Sequence, residues 1–306
     1  MKIEIIGFPM FYGCDRPGVE FGPDKLREVG LVDLFKKNNE YVIDRGNIKV
    51  DQVDPSKKYA SHTSMKYLNE VVSGNERLAE TVQNAIQEGN LPFVVGGDHS
   101  LGLGSLAGVK SATEDEFAVI WIDAHADLNI TETSPSGNIH GMPLGASAGL
   151  GDELLTELYV KGQKVKPENI YILGLRSVDE GEEVIIKEHG IHTWRMTDIR
   201  ERGMEKAIQE LLHKITESGI QRIHLSYDID SLDARHVPGT GTPVEDGLEF
   251  EESKQLVSSI IETGLVKSID FVEFNPITDR NNLTLNSSIS MLETFSEALG
   301  RIKSIG

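Results

Sequence analysis

Residues 117–127 read Phe117-Ala118-Val119-Ile120-Trp121-Ile122-Asp123-Ala124-His125-Ala126-Asp127. The first part is unbroken apolar and rich in β-branched and aromatic side chains, the pattern of a strand buried on both faces. The second part places three ionisable side chains directly behind that strand. Strands of this kind belong to parallel sheets covered by helices, and such sheets gather ligands at the carboxyl ends of their strands. One stretch thus predicts a fold and the edge of it where chemistry belongs.

Working outward, similar runs occur at residues 2–8, 41–43, 91–95, 170–175, 191–193, 222–227 and 268–274. Segments of helical period lie between them at 24–37, 65–88, 103–112, 180–188, 205–218, 251–263 and 285–302. No repeat, low-complexity tract or linker divides the chain. The alternation predicts an α/β fold: a single domain over 1–306 with a mostly eight-stranded parallel sheet and helices on both faces.

Composition narrows the function. Charged residues make up 26% and hydrophobic residues 39% of the 306, as in a soluble globular protein. No apolar run approaches the roughly 18 residues a membrane span needs, and Glu4 interrupts any leader-like core, so a cytoplasmic protein is expected. Cys14 is the single cysteine, which excludes an intrachain disulfide and a thiolate metal cluster. A net charge of −19 argues against nucleic acid, whose phosphates need basic surface. It suits a cationic substrate, although solubility alone accounts for it.

Polar clusters follow four of the strand candidates. Residues 91–95 lead into Gly96-Gly97-Asp98-His99-Ser100, 117–122 into Asp123-Ala124-His125-Ala126-Asp127, 222–227 into Asp228-Ile229-Asp230, and the last strand runs through Glu273-Phe274-Asn275-Pro276. In extended chain alternate side chains share a face, which would group Asp123, His125 and Asp127, and Asp228 with Asp230. Taken singly, His99 reads as a satisfied buried histidine and Asp230 as a helix cap. Taken together, so many acids and imidazoles aimed into one crevice require cations. His99, His125, Asp123, Asp127, Asp228 and Asp230 are too many ligands for one tetrahedral zinc. Asp123 and Asp228 are placed to bridge two ions. Oxygen-rich, sulfur-free donors favour manganese, with cobalt, nickel and iron fitting the same set. Two close ions would make a hydroxide nucleophile near neutral pH.

The ordered series GGDHS at 96–100, DAHAD at 123–127, GNIHG at 137–141, SYDIDSLD at 226–233, PGTGTP at 238–243 and EFNP at 273–276 resembles the arginase (ureohydrolase) family along almost the whole chain. The stretch 18–23 is similar to that family too. The resemblance implies a three-layer αβα fold and hydrolysis of the guanidinium group of L-arginine to urea and L-ornithine by a hydroxide bridging two Mn2+ ions. It implies His99, Asp123, Asp127 and Asp228 around the first ion, and His125, Asp123, Asp228 and Asp230 around the second. Glu273 would pair with the guanidinium, with Thr242 close by. His140 would shuttle protons, and Asp127 would orient the nucleophile. Asn129, Ser136 and Asn138 would receive the substrate's α-carboxylate, and Asp179 and Glu182 its α-ammonium; agmatine, lacking the carboxylate, is the rival substrate. A trimer or hexamer of identical chains is implied as well. Ser177, Ala234 and Glu245-Asp246-Gly247 depart from the family pattern, bearing on affinity and assembly rather than on the reaction.

Other readings fare worse. A metallophosphoesterase requires a further Gly-Asp-x-x-Asp block, absent here, and a non-catalytic metal-binding regulator predicts a broken ligand set. Residues 102–107 follow strand 91–95 too late for a dinucleotide turn and read as small residues packing a helix against the sheet. Residues 145–149 mimic a nucleophile elbow without a preceding strand and read as a loop. His62, His189, His192, His213, His224 and His236 are assigned to structure or surface, and Trp121 and Trp194 to the core.

Overall fold

The computed structural model describes residues 2–302; the ends of the expected 1–306 unit lie outside them. Its elements in chain order are β1 (Ile3–Phe8), α1 (Gly22–Glu28), α2 (Leu31–Asn38), β2 (Val42–Asn47), α3 (Leu68–Gln87), β3 (Leu91–Gly96), α4 (Gly102–Ala112), β4 (Ala118–Ile122), α5 (Pro143–Ser147) and α6 (Glu153–Thr156). There follow β5 (Ile170–Leu175), α7 (Glu180–His189), β6 (His192–Arg195), α8 (Met196–Arg202), α9 (Met204–Ser218), β7 (Ile223–Asp228), α10 (Phe250–Ile261), β8 (Val266–Val272) and α11 (Leu283–Ile302). The strands form one eight-stranded sheet, ordered β2-β1-β3-β8-β7-β4-β5-β6. Every pairing is parallel.

Strand periodicity sorts the apolar residues into two cores. Ile3, Ile5, Phe93, Val95, Ile120 and Ile122 face α1, α2 and α8 to α11. Ile6, Phe8, Val94, Val119 and Trp121 face α3 to α7. Side chains alternate across a strand, so a continuous apolar run feeds both layers at once.

Several expected boundaries are corrected. The helix expected over 24–37 is two helices, because Gly30 at φ 97° breaks it. The helix expected from residue 65 begins at Leu68, after Tyr67 at φ 51°. Strand 41–43 extends to Asn47, and 191–193 is displaced to His192–Arg195. The last strand stops at Val272, not at residue 274. Residues 145–149 lie largely in α5, which Pro143 starts and Leu144 and Ala146 bury. The small residues of α4 serve α3 more than the sheet: a Cβ on Gly104 or Gly108 would meet the carbonyls of Asn75 or Ala79, and only Gly102 abuts Trp121.

Lys164 ties down the carboxyl end of α6. It is 5% exposed, and its ammonium donates to the carbonyl of Gly162 at 2.8 Å and to that of Thr156. Burial pushes its pKa from 10.5 down to about 8 against the pull of Glu157. Between those values the unfolded chain holds more protons than the folded one, so this group adds stability as pH rises through the window. Relative to the parent, Lys164→Met should therefore lose about 1–3 kcal/mol between the two ends. Urea unfolding at each end checks this; parallel behaviour of the two proteins would show that the amine is not desolvated.

Candidate active site

Sheet order explains why the polar clusters meet. β3, β8, β7 and β4 are adjacent in the centre of the sheet. Their carboxyl ends release the loops bearing His99, Glu273, Asp228 and Asp123 respectively. Gly97 lets these loops interleave. Its N–H donates to the carbonyl of Phe8 and its carbonyl accepts from Glu273 N, both at 2.9 Å. A Cβ there would stand 1.9 Å from the carbonyl oxygen of Met10, so only glycine fits.

The acids and imidazoles converge by turns rather than by strand parity. β4 ends at Ile122, and Asp127 has a left-handed backbone, φ 52°. Asp228 caps a short 3-10 turn by accepting from the N–H of Asp230 at 2.8 Å, so Asp228, and not Asp230, is the capping residue. Glu273 is left-handed as well, φ 68°. Such conformations cost a non-glycine residue free energy and persist where the surroundings enforce them.

Two groups of donors result: His99, Asp123 and Asp127, and Asp123, His125 and Asp230. His99 Nδ1 lies 3.0 Å from Asp123 Oδ2, 3.1 Å from Asp127 Oδ2 and 3.2 Å from Asp228 Oδ2. His125 Nδ1 lies 3.4 Å from Asp123 Oδ1 and 3.3 Å from Asp230 Oδ2. Burial pushes the carboxyl of Asp127 up to about 6 and raises those of Asp228 and Asp230. Asp123 is held low because its attraction to the imidazoles of His125 and His99 outweighs its burial. The same acids raise both histidines against desolvation. His99 Nδ1 is buried and makes no hydrogen bond although three carboxylates surround it. Nitrogen and oxygen donors crowded around such an atom fit a metal ion.

Supporting contacts fix the ligands. Ser226 Oγ is 2.8 Å from His99 Nε2. The Trp121 ring stacks on His99 at 4.0 Å while its N–H donates to Asp123 at 3.0 Å. Asp98, fully buried, accepts from the N–H groups of Cys14 and Ser100. Thr242 donates to Asp230 Oδ2 at 3.1 Å. Arg176 donates to the carbonyls of Gly174, Asp230, Ser231, Leu232, Val244 and Glu245, clamping the chain behind Asp230 to the loop before α10. Sequence reading placed Trp121 in the core only and passed over Ser226, Asp98 and Arg176; the position of Ser226 two residues before Asp228 on one strand was the available signal.

Above the donors opens a cleft of about 130 Å³. It is lined by His99, His125, Asp127, Asp228, His140, Thr242 and Glu273, and farther out by Asn129, Ser136, Asn138, Ser177, Asp179 and Glu182. Asp123 and Asp230 lie beneath, fully buried. Glu273 Oε1 accepts from His99 N at 2.9 Å and lies 3.2 Å from His140 Nδ1, while Oε2 is buried without a partner. Desolvation opposes both charges of this pair, but mutual hydrogen bonding prevails, lowering Glu273 and raising His140. Asn129 Nδ2 donates to Asp179 at 2.8 Å, and Thr133 donates to Asn129 Oδ1 at 2.8 Å. Glu182 is committed to the backbone: its oxygens accept from Leu128 N and Asp179 N. Burial raises it to about 7. His224 is buried beside Ser268 and Asp270, away from the cleft lining.

Fold and site define a parallel α/β protein with a metal-fitting carboxylate–imidazole cluster at the carboxyl edge of its sheet. The family model described as the arginase family matches residues 1–296. The arginase of Bacillus subtilis (strain 168) is 42% identical over 292 residues, covering 95% of this chain and 96% of that one. The arginase of Bacillus caldovelox is 39% identical, covering 97% and 99%. Its native structure superposes with a TM-score of 0.89 over 98% of each chain, and a Bacillus subtilis arginase structure with 0.88 over 96% and 97%. The chain belongs to the arginase family and is a hydrolase of that family. No described helix is long and apolar enough to cross a membrane.

Proposed function

We propose that this chain hydrolyses the guanidinium group of L-arginine to urea and L-ornithine, and that residues 1–306 act as one catalytic domain. The observation that carries the reading is Glu273: a buried carboxylate in the cleft whose Oε2 lacks a partner and suits a guanidinium donor. Two divalent cations, manganese by preference, held by His99, Asp123, Asp127 and Asp228 and by His125, Asp123, Asp228 and Asp230, would supply the Lewis acidity that makes water nucleophilic near neutral pH. Asp127, raised by burial, is suited to hold the nucleophile's proton. His140, whose hold on its proton Glu273 strengthens against burial, is suited to donate to the leaving amine. At the outer end Asn129, Ser136 and Asn138 would receive the α-carboxylate. Asp179 would face the α-ammonium, and Glu182, occupied by backbone amides, would act by holding the Asp179 segment in place. The same reading includes cytoplasmic action and a trimeric or hexameric assembly.

The test is urea release by the manganese-loaded enzyme, with L-arginine and agmatine side by side. Arginine is expected to be strongly preferred. Alanine at Asn129 or Ser136 should lower kcat/KM for arginine by roughly 10–100-fold and leave agmatine nearly unchanged. Equal losses on both substrates would remove the assignment of the carboxylate end.

A further inference from the structure

We propose that Lys66 is a positioning residue for recognition of the substrate's α-carboxylate, acting through the side-chain amide of Asn138; the proposal rests on arginine being the substrate. An asparagine amide presents an acceptor on one side and donors on the other. Asn138 is useful to a carboxylate only if its Nδ2 is turned toward the cleft. Lys66 decides that orientation. Its Nζ, which can only donate, lies 2.8 Å from Asn138 Oδ1. Nδ2 then donates one hydrogen to the carbonyl of Cys14 at 3.0 Å and keeps the other for a ligand.

Lys66 is itself well held. Its side chain is 15% exposed, and its Nζ lies 3.1 Å from Asp15 Oδ2. Asp15 also pairs with Lys58 at 2.7 Å. Hydrogen bonds from the two lysines outweigh burial and keep the Asp15 carboxyl ionised. Two ammoniums against one carboxylate leave positive charge at the end of the cleft where an anionic group would dock. The backbone reinforces the link, since Lys66 N donates to the carbonyl of Gly137 at 2.9 Å. Lys66 does not line the cleft; its influence passes through Asn138.

The experiment uses the full-length, manganese-loaded enzyme. In Lys66→Met, KM for L-arginine should rise about tenfold while kcat stays within about twofold, the loss of one charge-assisted hydrogen bond from binding alone. The inhibition constant of agmatine, which carries no carboxylate, should stay unchanged. Lys66→Arg should restore KM to within about threefold. Lys66→Leu, which likewise removes the donor and should raise KM to a similar extent, covers the case in which Lys66→Met does not fold. An unchanged KM in a folded variant that still prefers arginine overturns this proposal alone, as does an equal loss of agmatine affinity. Preference of the unaltered enzyme for agmatine removes the substrate reading, and this proposal with it.

Discussion

Asp228→Ala is expected to lose bound metal and urea release together, with turnover falling by roughly a thousandfold or more. Groups that only orient a metal ligand cost 10–100-fold when removed, and a shared ligand should cost more. Asp228 is 2% exposed and ends β7, with its Oδ2 3.2 Å from His99 Nδ1. It also caps the turn that carries Asp230, so alanine acts on a ligand and on the placement of its neighbour. Asp228→Asn separates the two, since an amide oxygen still caps but carries no charge. Elemental analysis of both variants beside urea assays checks the expectation. A full complement of metal in Asp228→Ala would rule out the shared site.

Glu273→Gln carries the second-largest expected loss. Removing one partner of a buried charge pair costs about 3–5 kcal/mol, or roughly a hundredfold to several thousandfold in kcat/KM. Shape is nearly conserved, and Oε1 can still accept from His99 N, so the fold should survive. The loss should extend to arginine and agmatine alike, because both carry the guanidinium. A second readout is the pH profile. Glu273 holds His140 above its ordinary value; without that charge, His140 gives up its proton at lower pH, and the alkaline limb of activity should move down. Wild-type kcat/KM would count against Glu273 as the guanidinium partner, and an unmoved limb against His140 as the proton donor that Glu273 supports.

The central sheet was legible because strands buried on both faces are mostly apolar, so that buried exceptions such as Ser226 and Asp270 do not disguise them. β2 was legible only at its start: at the sheet edge Asp44, Arg45 and Asn47 face partly into solvent and erase the apolar signal. The end of β8 was misjudged because Phe274 resumes the apolar pattern after Glu273, whereas the left-handed backbone of Glu273 lies beyond the strand's end at Val272. α8, a single seven-residue helix following β6 directly, offered too short a period to see. In the site, the acids and imidazoles and their delivery at strand ends were readable, but side-chain alternation does not bring them together; short turns aim Asp127 and Asp230. Ser226, Asp98, Arg176 and Lys66 escaped because their roles depend on neighbours distant in sequence. Of the departures from the family pattern, Asp246 adopts φ 60° where a glycine pair is usual, a conformation aspartate tolerates better than most residues. Ser177 lines the cleft and is joined to His125 by a parallel β-bridge.

Asp127 and Glu273 share one further property. Each holds a backbone conformation in which glycine or asparagine would rest more easily. Selection for a sturdier protein, acting on folding alone, would press on these two positions first and would erase the acids that the proposed chemistry uses. Robustness and turnover are therefore set against each other at two identifiable peptide units, and any thermostabilising library built on this scaffold should hold both residues fixed.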